Sequence, residues 1–254
     1  MSGHSKWASI KHKKGAADAK RGQLFTKLIR EITVAAREGG GKPDTNARLR
    51  TAIDRARTAN MPSDNIEKAI KKGTGELEGV TYESCIFEAY GPGGAALIVE
   101  TLTDNKNRTS AEVRNIFSKK GGNMAGSGSV SWMFKKKGYI LIDKTQIKNE
   151  DELYTISLDA GADDVQVGEK NYEIFSDPKD FEQLKEALKV KNIKMEEAEI
   201  TMVPSSKVKV AAASDAKQLL SLIEALEEQE DVQKVHANFD ISDELLEQIA
   251  AEMP

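Results

Sequence analysis

The sequence predicts an α+β protein: an N-terminal three-helix domain followed by two α/β, ferredoxin-like domains, the last inserted into the middle one. Three observations lead there. Up to about residue 75, apolar residues recur at helical spacing with short breaks. Residues 139–203 then run in the order β-α-β-β-α-β, that of a ferredoxin-like plait. The β-rich pieces on either side of this plait are each too short to stand alone, so they are expected to complete one another. The expected domains are a basic arm with the helices (1–75), a discontinuous α/β domain (76–137 plus 205–245) and an acidic plait (138–204). A chain of 254 residues has room for three such units.

The elements follow in order. Gly3 to Gly15 has little periodicity and reads as an arm. From Ala16 to Glu38, Leu24, Leu28, Ile32 and Ala35 form an apolar stripe, stopped by Gly39-Gly40-Gly41 and Pro43. The second helix buries Leu49, Ala52, Ile53 and Ala56, with Asp44 or Thr45 as its cap. Asn60-Met61-Pro62 ends it. Asp64 and Glu67 have the spacing of a capping box for a third helix closed at Gly73. Tyr82–Tyr90 and Ala95–Leu102 read as strands joined by Gly91-Pro92-Gly93-Gly94. Asn107–Lys120 reads as a helix, Gly121–Ser129 as a flexible glycine loop and Val130–Phe134 as a strand, with Lys135-Lys136-Lys137-Gly138 breaking the pattern. After the plait come a strand at 208–210, a helix at 215–230, a strand at 235–239 and a short C-terminal helix.

Charge is segregated along this order. Residues 1–75 carry 17 Lys and Arg against 7 Asp and Glu, residues 76–137 carry 8 against 7, and residues 138–254 carry 12 against 27, within an overall net charge of −4. A basic head on an acidic body points to a polyanion partner approached head first.

Several classes of chemistry lack their residues. Cys85 is the single cysteine, so neither an intrachain disulfide nor a cysteine-based zinc site can form. The three histidines, His4, His12 and His236, have no metal-ligand spacing, and no metal is expected. There is no P-loop, no dinucleotide fingerprint and no nucleophile elbow. No cofactor and no catalytic residues are assigned. The uncharged stretches are too short to span a bilayer, the N-terminus is not a secretory signal, and a cytoplasmic location without membrane contact is expected.

The candidate nucleic-acid-binding residues lie in the head. Lys6, Lys11, Lys13 and Lys14 on the arm can neutralise phosphates and release counterions. Trp7 and His12 offer flat surfaces for stacking on a base or sugar, although Trp7 serves equally well as an anchor packed onto the helices. Lys20, Lys27, Arg30 and Arg37 form one stripe of the first helix, roughly opposite its apolar stripe, and are expected to be exposed. Arg48 and Arg55 flank the buried face of the second helix on one side, Arg50 and Arg57 on the other. Lys106 and Arg108 sit where a strand meets a helix N-terminus. That place suits either a phosphate or a plain capping turn with Asp104 or Asn107 as the cap. Lys119, Lys120 and Lys135 to Lys137 extend the basic track around the glycine loop.

Three segments carry a family resemblance. GHSKWASIKHKKGAADAKRGQLFTKLIREITVAAREGG, NARLRTAIDRARTANMPSDNIEKAIKKGTGE and YGPGGAALIVETLTDNKNRTSAEVRNIFSKKGGN closely resemble the YebC family, and the likeness extends over essentially the whole chain. Bacterial members are called probable transcriptional regulatory proteins, and a mitochondrial relative is a translational activator. The resemblance implies a helical domain, two α/β domains with a cleft between them, and a cytoplasmic, non-catalytic role in gene expression. The expected function is DNA-binding transcriptional regulation. The alternative is translational activation through ribosomal or messenger RNA, and a third reading is an adaptor whose acidic plait docks a protein partner. The second helix carries arginines without the Asn or Gln cluster that reads base edges.

Overall fold

The computed structural model describes residues 17–252. Three helices open it: α1 (Ala17–Gly39), α2 (Ala47–Thr58) and α3 (Ser63–Thr74). Leu28, Ile32, Leu49, Ala52, Ile53, Ile66 and Ala69 are buried together between them. Gly73 lies inside α3, and a Cβ there would overlap the Thr33 carbonyl oxygen, so glycine lets α3 pack directly on the α1 backbone. The turn out of the helix falls to Gly75, at φ 82°.

The expected caps are corrected. Asn46, rather than Asp44 or Thr45, caps α2: its Oδ1 accepts the Leu49 N–H at 3.0 Å, while its Nδ2 donates to the carbonyls of Ala35 at 2.8 Å and Gly40 at 2.9 Å. An amide side chain donates through nitrogen while it accepts through oxygen, so this residue both starts α2 and closes the end of α1. Asp64 and Glu67 form no capping box. Helix α3 begins at Ser63 behind Pro62, without a side-chain cap bond, and Asp64 falls in its first turn, where its charge suits the helix dipole.

The middle sheet is antiparallel, in the order β3-β1-β2-β9, formed by β1 (Glu83–Tyr90), β2 (Ala96–Thr103), β3 (Asn123–Ala125) and β9 (Val232–Ala237). Strand β9 pairs with β2 from Leu97↔Ala237 to Thr101↔Val232, with a bulge after Glu100, so residues more than 120 positions apart share one sheet. One face of it is covered by α4 (Lys106–Lys119) and α7 (Ala213–Glu228), which bury Phe87, Leu97, Val99, Phe117, Leu219 and Ile223. A short parallel pair, β8 (Val208–Lys209) with β10 (Phe239–Asp240), and α8 (Asp243–Glu252) complete this part.

The third unit contains β4 (Phe134–Asp143), α5 (Glu150–Asp159), β5 (Ala162–Val167), β6 (Asn171–Ser176), α6 (Phe181–Val190) and β7 (Glu197–Pro204). Its sheet runs β5-β6-β4-β7, antiparallel throughout, the split order of a ferredoxin-like plait. Its start differs from expectation. Ser131–Met133 is a short 3₁₀ turn rather than a strand, and β4 runs unbroken through Lys135-Lys136-Lys137-Gly138. Residues Phe134 to Leu141 pair with Pro204 back to Glu197, so β7 satisfies the backbone of the lysine run. Gly138 does not break the strand; it makes room for Ser176 and Phe181, which a Cβ there would strike.

Among the described residues the units meet at several places, two of which are buried joints. Ala96 and Ile98, on the helix-free face of the middle sheet, are buried against Val130 and Phe134, with Met133 and Met202 beside them. Helix α1 meets the end of α7 and the start of β9 through polar groups.

Candidate nucleic-acid interface

The stripe on α1 faces a joint rather than solvent. Lys27 Nζ donates to the Glu227 carbonyl at 2.6 Å, one of the last carbonyls of α7, where the helix dipole favours a cation. Arg30, only 9% exposed, pairs with Asp231 at 2.6 Å and donates to the Glu230 carbonyl at 2.7 Å. Its guanidinium lies over the Tyr82 ring, 5.5 Å from the centroid, and Arg37 donates to the Tyr82 carbonyl. The expected exposure of this stripe is therefore corrected for Lys27 and Arg30. A second polar face along a helix looks the same in sequence whether water or a buried carboxylate lies opposite it. Lys20 belongs to α1, but its side chain falls outside the described residues, as do Lys6, Trp7, Lys11, His12, Lys13 and Lys14.

Asp231 is the hub of this joint. It is 2% exposed and accepts from Arg30, from Thr109 Oγ1 at 2.6 Å and from Arg108 at 3.0 Å. Burial alone would raise its pKa; the hydrogen bonds from Thr109 and Arg108 and the nearby Arg30 charge outweigh that and hold it below the ordinary aspartate value.

Helix α2 divides its arginines. Arg48 is bridged to Glu38, and Arg55 to Glu31 at 3.1 Å, both carboxylates on α1. On the other flank Arg50 donates to the Pro43 carbonyl at 3.3 Å, and Arg57 is exposed. Lys42, Lys68, Lys71 and Lys72 are exposed as well, and neither they nor Arg57 form an ion pair among the described residues. The candidates read from the sequence leave out Lys42, Lys68, Lys71 and Lys72. Their signal was available, since the helical domain has too few acids to pair them.

At the start of α4, Asn105 is the cap, accepting the Arg108 N–H at 3.1 Å, so neither Asp104 nor Asn107 fills that role. The Arg108 guanidinium is held between Asp104 at 2.7 Å and Asp231 at 3.0 Å. Lys106 stays exposed without an ion pair among the described residues.

A cleft of about 110 Å³ lies between the helical domain and the middle sheet, with Leu24, Lys27, Arg48 and Arg55 on one wall and Glu100 and Lys234 on the other. Lys234 pairs with Glu199 of β7 at 2.8 Å, and His236 Nε2 lies 3.0 Å from Glu100. Burial would raise the Glu199 pKa, but Lys234 and then Arg55 hold it low. The charges of this cleft largely answer one another, unlike those of the outer helical face. Among the described residues no group of three or more His, Cys, Asp or Glu is arranged to hold a metal ion, and Cys85 is buried, which pushes its thiol pKa up.

The chain was compared with known proteins. Residues 5–76 match the family model described as TACO1/YebC protein N-terminal domain, and residues 82–239 match that of the TACO1/YebC second and third domain. Among curated proteins, a "probable transcriptional regulatory protein" of Dictyoglomus turgidum is 54% identical over 250 residues, covering 98% of this chain and 100% of the relative. One of the same description from Geobacter sulfurreducens is 56% identical over 249 residues, with the same coverage. Among solved structures, a conserved hypothetical protein from Aquifex aeolicus is 50% identical, superposes with a TM-score of 0.82 and covers 92% of this chain and 96% of that one.

Proposed function

The chain belongs to the TACO1/YebC family, and we propose that it is a non-enzymatic, cytoplasmic regulator of gene expression that binds nucleic acid, acting as a DNA-binding transcriptional regulator. The observation that carries the reading is the exposed surface of the helical domain, where Lys42, Arg57, Lys68, Lys71 and Lys72 are each exposed without ion pairs among the described residues. The sequence before residue 17 carries four more lysines, Lys6, Lys11, Lys13 and Lys14. Such cations bind phosphates by releasing condensed counterions. The acidic remainder repels a polyanion, so contact is directed to the head. The names of the relatives support regulation of transcription. No described helix is long and apolar enough to cross a membrane.

A second reading, binding of ribosomal or messenger RNA in translational activation, is favoured by one observation. The exposed flank of α2 presents Arg57, Asp54 and Thr58 but no Asn or Gln of the kind that reads adenine edges. Selecting a DNA site requires such base readout, whereas contact with structured RNA through its phosphates and shape does not.

The test is to change Arg57, Lys68, Lys71 and Lys72 to Gln together and measure binding to duplex DNA and to structured RNA at several salt concentrations. Affinity should fall and the salt slope should flatten by roughly 0.7–0.9 per lost phosphate contact. Changing the exposed Lys189 and Lys194 of the plait should leave both unchanged. Head variants that keep the parent's affinity and slope would sink the reading and move the adaptor role to first place.

A further inference from the structure

We propose that Trp132 and Tyr90 form a stacking platform for an unpaired nucleobase, a second contact that rests on the nucleic-acid-binding reading above. Trp132 is 71% exposed, and Tyr90 is also exposed. The polar atoms of the two rings converge on one acceptor: Trp132 Nε1 donates to the Ser129 carbonyl at 3.0 Å and Tyr90 Oη at 3.3 Å. Two flat, solvent-exposed side chains are thereby anchored to a single carbonyl.

The loop between them is built rather than loose. Glu88, 6% exposed, accepts the backbone N–H groups of Gly128 at 2.7 Å, Val130 at 2.7 Å and Ser131 at 2.8 Å. Burial would raise this carboxyl's pKa, but the three N–H donors outweigh it and hold the pKa low, so the group stays charged and the loop stays fixed. Val130 is buried against Ala96, Ile98 and Phe134 directly beneath. A buried carboxylate and a buried valine thus fix a turn whose outer side chain is an exposed indole. Packing of the fold does not require that indole; a stacking partner does.

Charge selects the partner. Residues 113–142 contain no Asp or Glu, and Lys119, Lys135 and Lys136 are exposed without ion pairs among the described residues. Trp132 lies in a stretch with cations and no acids of its own, and the Glu88 carboxylate that holds the loop is buried, so the exposed surface matches a chain that carries both π-faces and phosphates. A duplex keeps its base faces stacked inside, so the ligand is single-stranded or looped, whether RNA or DNA.

The experiment uses the full chain with Trp7→Phe, which leaves Trp132 as the sole tryptophan, and every affinity is measured in the parent chain as well, because Trp7 is itself a candidate contact. Its fluorescence is followed during titration with oligouridylate, oligodeoxyuridylate and an abasic deoxyribose-phosphate strand of equal length. The two strands with bases should quench the indole and the abasic strand should not. Equal quenching by both identifies the base as the feature bound, and a preference for oligouridylate adds the 2′-hydroxyl. In the same background, Trp132→Ala should weaken oligouridylate binding by about 5- to 150-fold, the range of one base–aromatic stack, with the salt slope and melting temperature unchanged. Trp132→Phe should restore most of the affinity. Equal quenching by the abasic strand, or unchanged affinity in Trp132→Ala, would overturn the platform. Duplex binding without single-strand binding would overturn it alone, whereas binding to no nucleic acid would remove the platform and the reading it rests on together.

Discussion

Arg30 of α1 and Asp231, just before β9, lie 2.6 Å apart across 201 positions of sequence. This pair joins the helical domain to the end of the middle sheet, and Arg108 and Thr109 hold the other carboxylate oxygen. The basic face that the sequence offers to a polyanion is therefore partly spent on assembling the protein. Removing one partner of a buried pair leaves the other charge unpaired, which costs about 3–5 kcal/mol. Asp231→Ala should destabilise by that order, because the buried Arg30 loses its close counter-charge, while Arg108 keeps only Asp104. Arg30→Ala should cost less, since Thr109 and Arg108 still satisfy the carboxylate. A double-mutant cycle by urea denaturation should give a coupling of about 0.5–3 kcal/mol. Strict additivity would show that the joint does not contribute.

The same carboxylate sets an acid limit. The Asp231 pKa is held below its ordinary value of 3.8 in the folded chain. Its stabilising contribution is thus full above about pH 4 and is lost as the pH falls through the folded-state value. Glu88 and Glu199 are lowered from 4.5 and act in the same direction. Asp231→Asn should be less stable than the parent at neutral pH and should lose less stability on acidification below about pH 4. Parallel stability curves for the two proteins would exclude Asp231 from the acid response.

Helix α3 packs on α1 through the missing side chain of Gly73. Gly73→Ala gains up to ~1 kcal/mol of helix propensity. It also drives a methyl group into the Thr33 carbonyl, and overpacking costs about 1–3 kcal/mol. The melting temperature should fall. An increase would mean that the helices separate freely at this crossing.

Strand β4 begins at Phe134, not at Tyr139, and pairs with β7 as far as Pro204. A fragment of residues 133–205 should give a dispersed amide spectrum and resist urea better than one of residues 138–204, which lacks the first four pairs of the β4–β7 ladder. Equal stability of the two fragments would show that the lysine run adds nothing to the sheet.

The sequence alone determined the parts that depend on local spacing. Periodicity placed α1, α2 and α3 and their apolar faces, because a helical stripe such as Leu28, Ile32 and Ala35 needs no distant partner to be seen. The β-α-β-β-α-β order identified the plait for the same reason. Charge counting found the basic head, since composition is independent of fold. Tertiary structure decided which of those charges remain available. Lys27 and Arg30 look no different in sequence from Arg57 and Lys68, yet the first two meet α7 and Asp231 while the others meet solvent. It also decided that Asn46 and Asn105 are the caps: Asp44, Asp104 and Asn107 have similar propensity, and at Asn46 the carbonyls of Ala35 and Gly40 make the difference. Trp132 went unnoticed in a stretch that reads as a loop followed by a strand. What presents it to solvent is Glu88, some forty residues earlier, whose buried charge gathers three backbone N–H groups. Contacts made between distant segments leave no periodic trace, and this protein's joints and its exposed aromatic pair are both made that way.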